Sequence, residues 1–426
     1  MKHLLYYDTT SAYTAEQWTA GGNGRKVVSV VDGVAWCEDS GDTYYRYAPP
    51  SQENLTSYTI TIHYKTVEGE TINPDTSIQT TCYIGKSTRE CLFSKNIEGY
   101  RPLCYSETLW VSQDTDYTFF YSTENINLND LYLTFLVYSG GNIMWRNDGG
   151  NGYYVPKTPS TIQYSKNGGE WVSITSNSAH NETISVQAGD VVRFKGNNAK
   201  YSFVGYGPSD DEYYSIYSFG YSSAGFDLMG NIMSMIGGDN FSNLTSFGSD
   251  DVFIGFFKAC NGLRDASKLL LPATTVTSKC YDNMFFSCIG LTTAPELPAT
   301  RLGSQCYDGM FYNCRNLTTA PTVLPSTALT YKCYYEMFRN CSNLISAPEL
   351  PATTLTNYCY SYMFYGCTKL NYVKCMAENN IESYNLTSWL YDVSSEGKFV
   401  KNANATAWTT GTSGIPTGWT VVDDTN

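Results

Sequence analysis

The sequence contains few of the residues that most often perform chemistry at neutral pH. Its 426 residues include only three histidines, His3, His63 and His180, and each stands apart from the others. Histidine is a frequent general base and nitrogen ligand for metals, so this scarcity argues against both kinds of site. The chain also contains no CxxC pair, no glycine-rich phosphate loop and no serine, histidine and aspartate arrangement. We therefore expect a non-enzymatic protein with no catalytic residues, no metal and no cofactor.

Positive charge and long apolar runs are scarce as well. Lysine and arginine number 27 against 40 aspartates and glutamates, which gives a formal net charge of −13. Such a chain repels phosphate backbones and anionic lipid head groups. The longest apolar stretch, residues 131–138, is far shorter than the roughly 18 residues of a membrane span, and no secretory signal is visible at the start. We expect no nucleic-acid binding and no membrane insertion.

The dominant feature of the sequence is an internal repeat of 26 or 27 residues. Ten of the 14 cysteines lie between Cys260 and Cys375, and each full copy reads Cys-Tyr-x-x-Met-Phe-x-x-Cys-x-x-Leu. A degenerate earlier copy ends in Leu271-Pro272, so there are about five copies. The predicted core residues, which occupy these repeated positions, are Cys280, Met284, Phe285, Cys288, Cys306, Met310, Phe311, Cys314, Cys333, Met337, Phe338, Cys341, Cys359, Met363, Phe364 and Cys367.

Within one copy the apolar residues fall at helical spacing. Cys280, Met284, Phe285 and Cys288 stand at i, i+4, i+5 and i+8, which predicts a helical turn or short helix with this face inward. The threonine-rich residues that follow, up to Pro295, are typical of a brief strand. Each copy would then be one turn of a solenoid that buries its apolar columns against its neighbours.

Upstream of the repeats, proline-containing segments at 48–51 and 155–160 indicate linkers. Strand-like runs at 27–31, 34–37 and 43–47, separated by turn residues, predict a β-rich beginning. We predict five regions: an N-terminal β docking segment at 1–50, a β-sandwich-like domain at 51–158, a β-hairpin module at 159–224, the repeats at 225–375 and a C-terminal cap at 376–426.

The repeat, with the Leu-Pro-Ala-Thr-Thr that follows some copies, resembles the BspA-like leucine-rich repeats over about residues 225–426. This resemblance implies an open solenoid used for surface recognition. The expected fold class is multidomain, with N-terminal all-β, sandwich-like modules followed by a short mixed α/β leucine-rich-repeat solenoid with a C-terminal cap. More loosely, the first 47 residues resemble N-terminal segments of structural proteins from phages of gut bacteria.

The position after each Met-Phe pair suggests a recognition surface. If Met and Phe point inward, this position lies on or near the exposed side. It holds aromatic or arginine residues, which anchor ligands at low entropy cost and stack on sugar faces. The alternative is lateral packing between neighbouring copies. The candidate binding residues, from this position and its surroundings, are Phe286, Tyr312, Tyr335, Arg339, Tyr362 and Tyr365.

The cysteines admit two interpretations. Stacked strands lie about 4.8 Å apart, which is within the range for disulfides, so the columns could form a redox or metal device. Their periodic placement favours reduced thiols that fill a narrow core. Four cysteines outside the repeats have a pairing that the sequence does not determine: Cys37, Cys82, Cys91 and Cys104.

Carboxylates that could hydrolyse a glycan occur as pairs that follow the repeat. Asp282 and Asp308 occupy equivalent positions, as do Glu296 and Glu349. Glycoside hydrolysis needs two carboxyl groups a few ångströms apart, but catalytic groups usually interrupt a repeat. Repetition therefore favours structural roles for all four.

Together these features predict a non-enzymatic phage virion structural protein, such as a head or tail fibre or a decoration protein. Its N-terminal region would contact other virion proteins, and its solenoid would recognise a host cell-surface protein or glycan. The alternatives are a secreted bacterial cell-surface adhesin and a glycan-degrading tail spike. A homo-oligomer is compatible with the sequence, but no heptad run specifies a trimer.

Overall fold

The protein is built almost entirely of β-structure. A computed structural model describes residues 26–31, 34–39, 42–47, 55–83, 87–103, 106–123, 126–149, 159–176, 181–206 and 212–424. Strands account for 39% of the chain and helices for 3%, which confirms the prediction of β-rich modules. In the described ranges, no helix has the length and apolarity needed to cross a membrane.

The strands, in chain order, are β1 Lys26–Val31, β2 Val34–Asp39, β3 Asp42–Tyr47, β4 Leu55–Thr66, β5 Thr71–Tyr83, β6 Thr88–Phe93, β7 Arg101–Pro102, β8 Ser106–Val111, β9 Thr115–Ser122, β10 Leu133–Ser139, β11 Gly141–Gly149, β12 Ser160–Lys166, β13 Val172–Ser176, β14 Glu182–Val186, β15 Val191–Gly196, β16 Ser202–Tyr206, β17 Glu212–Ser218, β18 Gly225–Asn231, β19 Lys268–Leu270, β20 Thr275–Val276, β21 Arg301–Leu302, β22 Tyr372–Cys375, β23 Lys398–Asn402 and β24 Thr420–Asp424. The helical elements described are α1, Ser234–Gly237, and two 3₁₀ turns at Leu128–Asp130 and Gly238–Asn240.

Contacts divide the chain into two compact units. The first comprises Met1–Thr61, Thr76–Phe93 and Tyr105–Thr115. It contains the antiparallel sheet β1-β2-β3 and the antiparallel pair β6-β8. The three strand-like runs predicted before residue 48 lie in β1, β2 and β3.

The second unit comprises Ile62–Asp75, Ser94–Cys104 and Asp116–Asn426. It contains a six-stranded sheet with the order β13-β12-β15-β10-β18-β19 and a four-stranded sheet with the order β14-β11-β17-β16. Phe219 joins their cores, because its ring lies 5.0 Å from Phe135 of β10 and 5.1 Å from Trp145 of β11.

The six-stranded sheet leads directly into the repeats. Its strand β18 pairs in parallel with β19, with Met229 opposite Lys268. The sheet thus takes strands from three of the regions predicted as separate domains, since β10 precedes residue 159 and β18 follows residue 224. One buried cluster runs without a break from Leu133 to Trp419.

Successive repeat copies lie parallel and are joined by backbone hydrogen bonds. The amide of Phe285 donates to the carbonyl of Met310 at 2.9 Å, and the amide of Phe311 donates to Met337 at 2.9 Å. Equivalent side chains lie above one another, so the rings of Phe285 and Phe311 stack 5.4 Å apart with planes 3° from parallel. All sixteen predicted core residues are fully buried in this arrangement, which we call the repeat stack (residues 251–393).

The predicted helical turn within each copy is wrong. Residues 280–288 form a chain of tight turns in which the amide of Met284 donates to Tyr281, three residues back. Every fourth residue has a left-handed backbone: Lys279, Asn283 and Ser287 have φ of 54°, 54° and 57°. A right-handed helix cannot contain such residues. The intervening amides donate hydrogen bonds to carbonyls of the next copy instead. Across its described residues, the stack therefore contains no helix in its turn segments, and the predicted mixed α/β fold class does not apply to it.

Each second cysteine of a copy satisfies a backbone carbonyl of the preceding copy. The thiols of Cys288, Cys314, Cys341 and Cys367 donate to phenylalanine carbonyl oxygens at 3.0–3.1 Å. Burial raises the pKa of Cys314, as it does for Cys288, Cys341 and Cys367. These thiols therefore act as small apolar side chains with a hydrogen-bond donor.

The stack continues into the segment predicted as a cap. Trp389 and Leu390 occupy the positions of Met363 and Phe364, and the amide of Phe364 donates to Trp389 at 2.9 Å. Trp389 is fully buried. The strands β22, β23 and β24 then form a parallel sheet. Residues 383–393 are thus a sixth copy without the cysteine signature.

Removing one of the donating thiols should weaken the stack. We expect Cys314→Ala to lower the free energy of unfolding by about 1–2 kcal/mol, because it leaves a small void and removes one of the two hydrogen bonds that the Phe285 carbonyl accepts, the other being from the Cys288 amide. Urea unfolding followed by circular dichroism measures this change. Thr368→Ala, at an exposed position of the stack, is the control. An unchanged midpoint for Cys314→Ala would contradict the structural role of the thiol.

A protein truncated after Cys375 should be insoluble. The truncation uncovers Tyr360, Met363 and Phe364, all of which are buried in the full chain. Solenoids need their terminal copies to shield such surfaces. We expect the truncated protein to aggregate or to be digested rapidly in limited proteolysis. A soluble truncated protein with an unchanged β-type spectrum would count against this role of the sixth copy.

Candidate functional site

The residues that follow the Met-Phe pairs form a continuous strip along the stack. The rings of Phe286 and Tyr312 meet edge to face at 5.0 Å. The Arg339 guanidinium lies over Tyr312 at 5.4 Å and over Tyr365 at 4.7 Å. All four side chains are half-buried. Their contacts match the lateral packing that the sequence left open as an alternative, and the strip continues with Tyr391, whose ring stacks on Tyr365 at 4.9 Å.

Arg339 is held in place by an ion pair. One guanidinium nitrogen, Nη1, lies 2.6 Å from Oε1 of Glu336. Burial disfavours the charge of Arg339, but the adjacent Glu336 carboxylate outweighs this and raises the pKa of Arg339. The guanidinium also lies 5.5 Å from the ring of Tyr362. Arg339 therefore connects the strip to a neighbouring concave surface.

That concave surface is a groove on the fourth, fifth and sixth copies. The two remaining predicted residues, Tyr335 and Tyr362, lie in it with their rings 5.7 Å apart. The groove has a volume of about 340 Å³. We call it the tyrosine groove, and its lining residues are Tyr331, Lys332, Tyr335, Tyr358, Tyr362 and Thr387.

A row of exposed tyrosines runs along the groove. Tyr331, Tyr358 and Tyr384 are 43%, 39% and 41% exposed. Their rings contact one another in sequence, with centroids 6.1 Å apart at both steps. Aromatic faces of this kind can stack on the apolar faces of sugar rings, and the phenol hydroxyls can hydrogen bond to polar ligands.

Tyr331, Tyr358 and Tyr384 were not predicted as binding residues from the sequence. Tyr331 takes the position of Ser278 and Ser304, and Tyr358 takes the position of Lys279 and Gln305. The available signal was therefore an aromatic residue that interrupts a column of small or polar residues. This signal is easily overlooked, because a search for periodicity retains only the positions that repeat.

Two groove tyrosines have unfavourable backbone conformations. Tyr358 and Tyr362 have φ of 61° and 56°. Left-handed backbone costs a bulky residue roughly 1–3 kcal/mol. The equivalent residues of other copies share it, so it belongs to the stack as a whole. The position of Tyr362 is occupied by Gly309 in an earlier copy, where it also has positive φ. Tyr362 thus stands at a position where the backbone favours a smaller residue.

Lys332 is the cation of the groove. Its ammonium nitrogen lies 4.6 Å from the ring centroid of Tyr335, 5.5 Å from Tyr331 and 6.0 Å from Tyr358. In the described part of the chain, Lys332 forms no ion pair, whereas several other cations of the stack do. Lys374, for example, pairs with Asp424 at 3.3 Å. Lys332 is therefore held by aromatic faces rather than by a carboxylate.

A half-buried carboxyl group, that of Asp308, lies beside the groove. Burial raises the pKa of Asp308 to about 7; a hydrogen bond from Gln305 Nε2 at 3.4 Å opposes this shift, and the negative charge of Glu336 adds to it. The positive charges of Lys332 and Lys279 lower this pKa. Asp308 is therefore largely uncharged below pH 7 and leaves the Lys332 ammonium without a full counter-charge there.

The remaining cysteines and metal-binding residue types form no recognisable centre in the described ranges. Cys82 is buried and Cys91 is exposed, whereas the side chains of Cys37 and Cys104 lie outside the described residues, so their pairing stays open. Three or more histidines, cysteines or carboxylates come together nowhere among the described residues. The thiols of the stack from Cys280 to Cys375 are not disulfide-bonded.

Comparison of the chain with family models, curated proteins and solved structures gives no match. The resemblance to BspA-like leucine-rich repeats therefore remains a prediction from the sequence.

The elevated pKa of Asp308 makes a prediction about stability and pH. An unfolded aspartate titrates near pH 4, so the folded chain binds more protons between pH 4 and about 7, and its stability falls as the pH rises through this range. Asp308→Asn removes the ionisation. We expect it to stabilise the protein at pH 8 by on the order of 1–3 kcal/mol and to have little effect at pH 4.

Urea unfolding of the parent and of Asp308→Asn at both pH values tests this expectation. Asp392→Asn, which removes an exposed charge on the same stack, is the matched control. Equal effects of Asp308→Asn at pH 4 and pH 8 would show that the Asp308 carboxyl group is not shifted.

Proposed function

We propose that this chain is a non-enzymatic virion structural protein whose repeats form a leucine-rich-repeat-like solenoid that recognises a glycan on a host cell surface. The tyrosine groove is the observation that carries the proposal. It combines exposed aromatic faces, phenol hydroxyls and one cation in a single concavity, as small-ligand sites commonly do.

The construction of the stack supports a display role. Hydrogen bonds from copy to copy and the stacked rings of the core fix the backbone on which the tyrosines stand. A rigid backbone lowers the entropy lost when a ligand binds. The groove spans three copies, so a ligand longer than one sugar unit can contact several tyrosines at once.

The assignment to a virion is supported by the sequence resemblance of the first 47 residues. In this region β1, β2 and β3 form a small antiparallel sheet. We propose that the N-terminal region contacts other virion proteins and that the stack faces the host.

Substitution of the exposed tyrosines tests the recognition role. Tyr331→Ser and Tyr358→Gln introduce residues that earlier copies carry at the same positions, namely Ser304 and Gln305. Because each stacking contact contributes about 1–3 kcal/mol, as base stacking on aromatics does, we expect the double variant to lose at least tenfold in affinity on a glycan array.

Tyr221→Asn, which removes an exposed tyrosine outside the groove, serves as the control. If the double variant retains all array signals, the groove is not the recognition surface.

The virion assignment has its own test, since antibodies against the full chain should label intact particles in electron micrographs.

A further inference from the structure

We propose that the tyrosine groove binds an acidic glycan, with a sugar carboxylate paired to Lys332 and the sugar faces on Tyr331 and Tyr358. This inference rests on the proposed recognition function and adds the chemical class of the ligand. It also gives Lys332 a specific role.

The position of the ammonium group is the first argument. Lys332 Nζ lies among the rings of Tyr331, Tyr335 and Tyr358, at 5.5, 4.6 and 6.0 Å. These rings also line the groove, so a ligand seated there would cover the ammonium group. A sugar lying on Tyr331 or Tyr358 would place its substituents within reach of Nζ.

The cost of covering a charge discriminates between neutral and acidic ligands. A neutral glycan would remove water from the Lys332 ammonium without supplying a counter-charge, and this is unfavourable. A carboxylate supplies that charge through a charge-assisted hydrogen bond. Within the described residues no carboxylate lies within ion-pair distance of Lys332, so the ligand would not have to displace one.

The surrounding charges limit the ligand to modest acidity. Glu336 carries a negative charge near the groove, although Arg339 compensates it at 2.6 Å. Asp308 adds a further charge as the pH rises. A densely sulfated polymer would meet this repulsion at several points, whereas one carboxylate for each sugar needs only the single cation present. Uronic acid polymers have this charge density.

Earlier copies supply substitutions that the backbone tolerates. Lys332 has φ of 52°, and Gln305, at the same position one copy earlier, has φ of 56°. Lys332→Gln therefore removes the charge while keeping a residue that the stack already accommodates. Lys369→Asn is the matched control, because it removes one exposed lysine from the same stack and introduces the residue found at the equivalent Asn343.

The experiment is affinity electrophoresis of the full chain in gels that contain polygalacturonate, alginate, fully methyl-esterified polygalacturonate or dextran sulfate. We expect polygalacturonate or alginate to retard the parent protein and the Lys369→Asn variant. Methyl esterification removes the charge but keeps the sugar backbone, so it should abolish the retardation. Lys332→Gln should weaken binding about tenfold or more. Circular dichroism verifies that each variant is folded.

Four results would each overturn the inference: no retardation by either uronic acid polymer, equal retardation by the methyl ester, stronger retardation by dextran sulfate, or unchanged binding by Lys332→Gln. If Lys332→Gln binds normally while Tyr331→Ser/Tyr358→Gln does not, the result supports the recognition function and rejects only the pairing of an acidic ligand with Lys332. If both variants bind normally, the groove itself is not the site.

Discussion

The structure depends on a left-handed backbone at every fourth residue of the turn segment in each repeat, such as Lys279, Asn283 and Ser287. At Asn283 and at its equivalents the chain turns back on itself, so amides alternate between a turn bond within the copy and a bond to the next copy. This alternation is possible only if the next copy presents a carbonyl at the same height. The constraint therefore enforces similar conformations in successive copies and places equivalent side chains above one another.

The stacked core follows from this constraint. Phe285, Phe311, Phe338 and Phe364 lie 5.4–5.6 Å apart with nearly parallel rings. The width available inside the turns is small, which suits thiols that both fill space and donate to carbonyls. On the outside, the same regularity aligns residues that differ between copies, and this is how tyrosines from three copies come together in one groove.

The sequence predicted the core of the stack and failed on the conformation that produces it. Spacings of four and eight residues are common to one face of a helix and to a chain of four-residue turns, so Cys280, Met284 and Cys288 could not distinguish them. Asn313, Asn340 and Gly366 are typical of left-handed backbone and were the available warning. Lys279 and Gln305, which share this backbone, are not typical of it. The sixth copy was hidden because Trp389 and Leu390 replace the Met-Phe pair.

The site was predictable only in part. Tyr335 and Tyr362 lie in the groove, whereas Phe286, Tyr312, Arg339 and Tyr365 form the strip beside it. Tyr331 and Tyr358 depart from the repeat, and a search for periodicity discards such residues. The parallel pairing of β18 with β19 was also beyond reach, because it joins residues about forty positions apart and the turn residues between them, such as Asn261-Gly262, do not specify which strands pair.

Because each copy touches mainly its two neighbours, the binding face can evolve by recombination between near-identical coding segments. An exchange in register within the 26-residue period inserts or deletes a whole layer while preserving every interface above and below it. The length of the exposed tyrosine row would then change in steps of one layer without any need to redesign the interior.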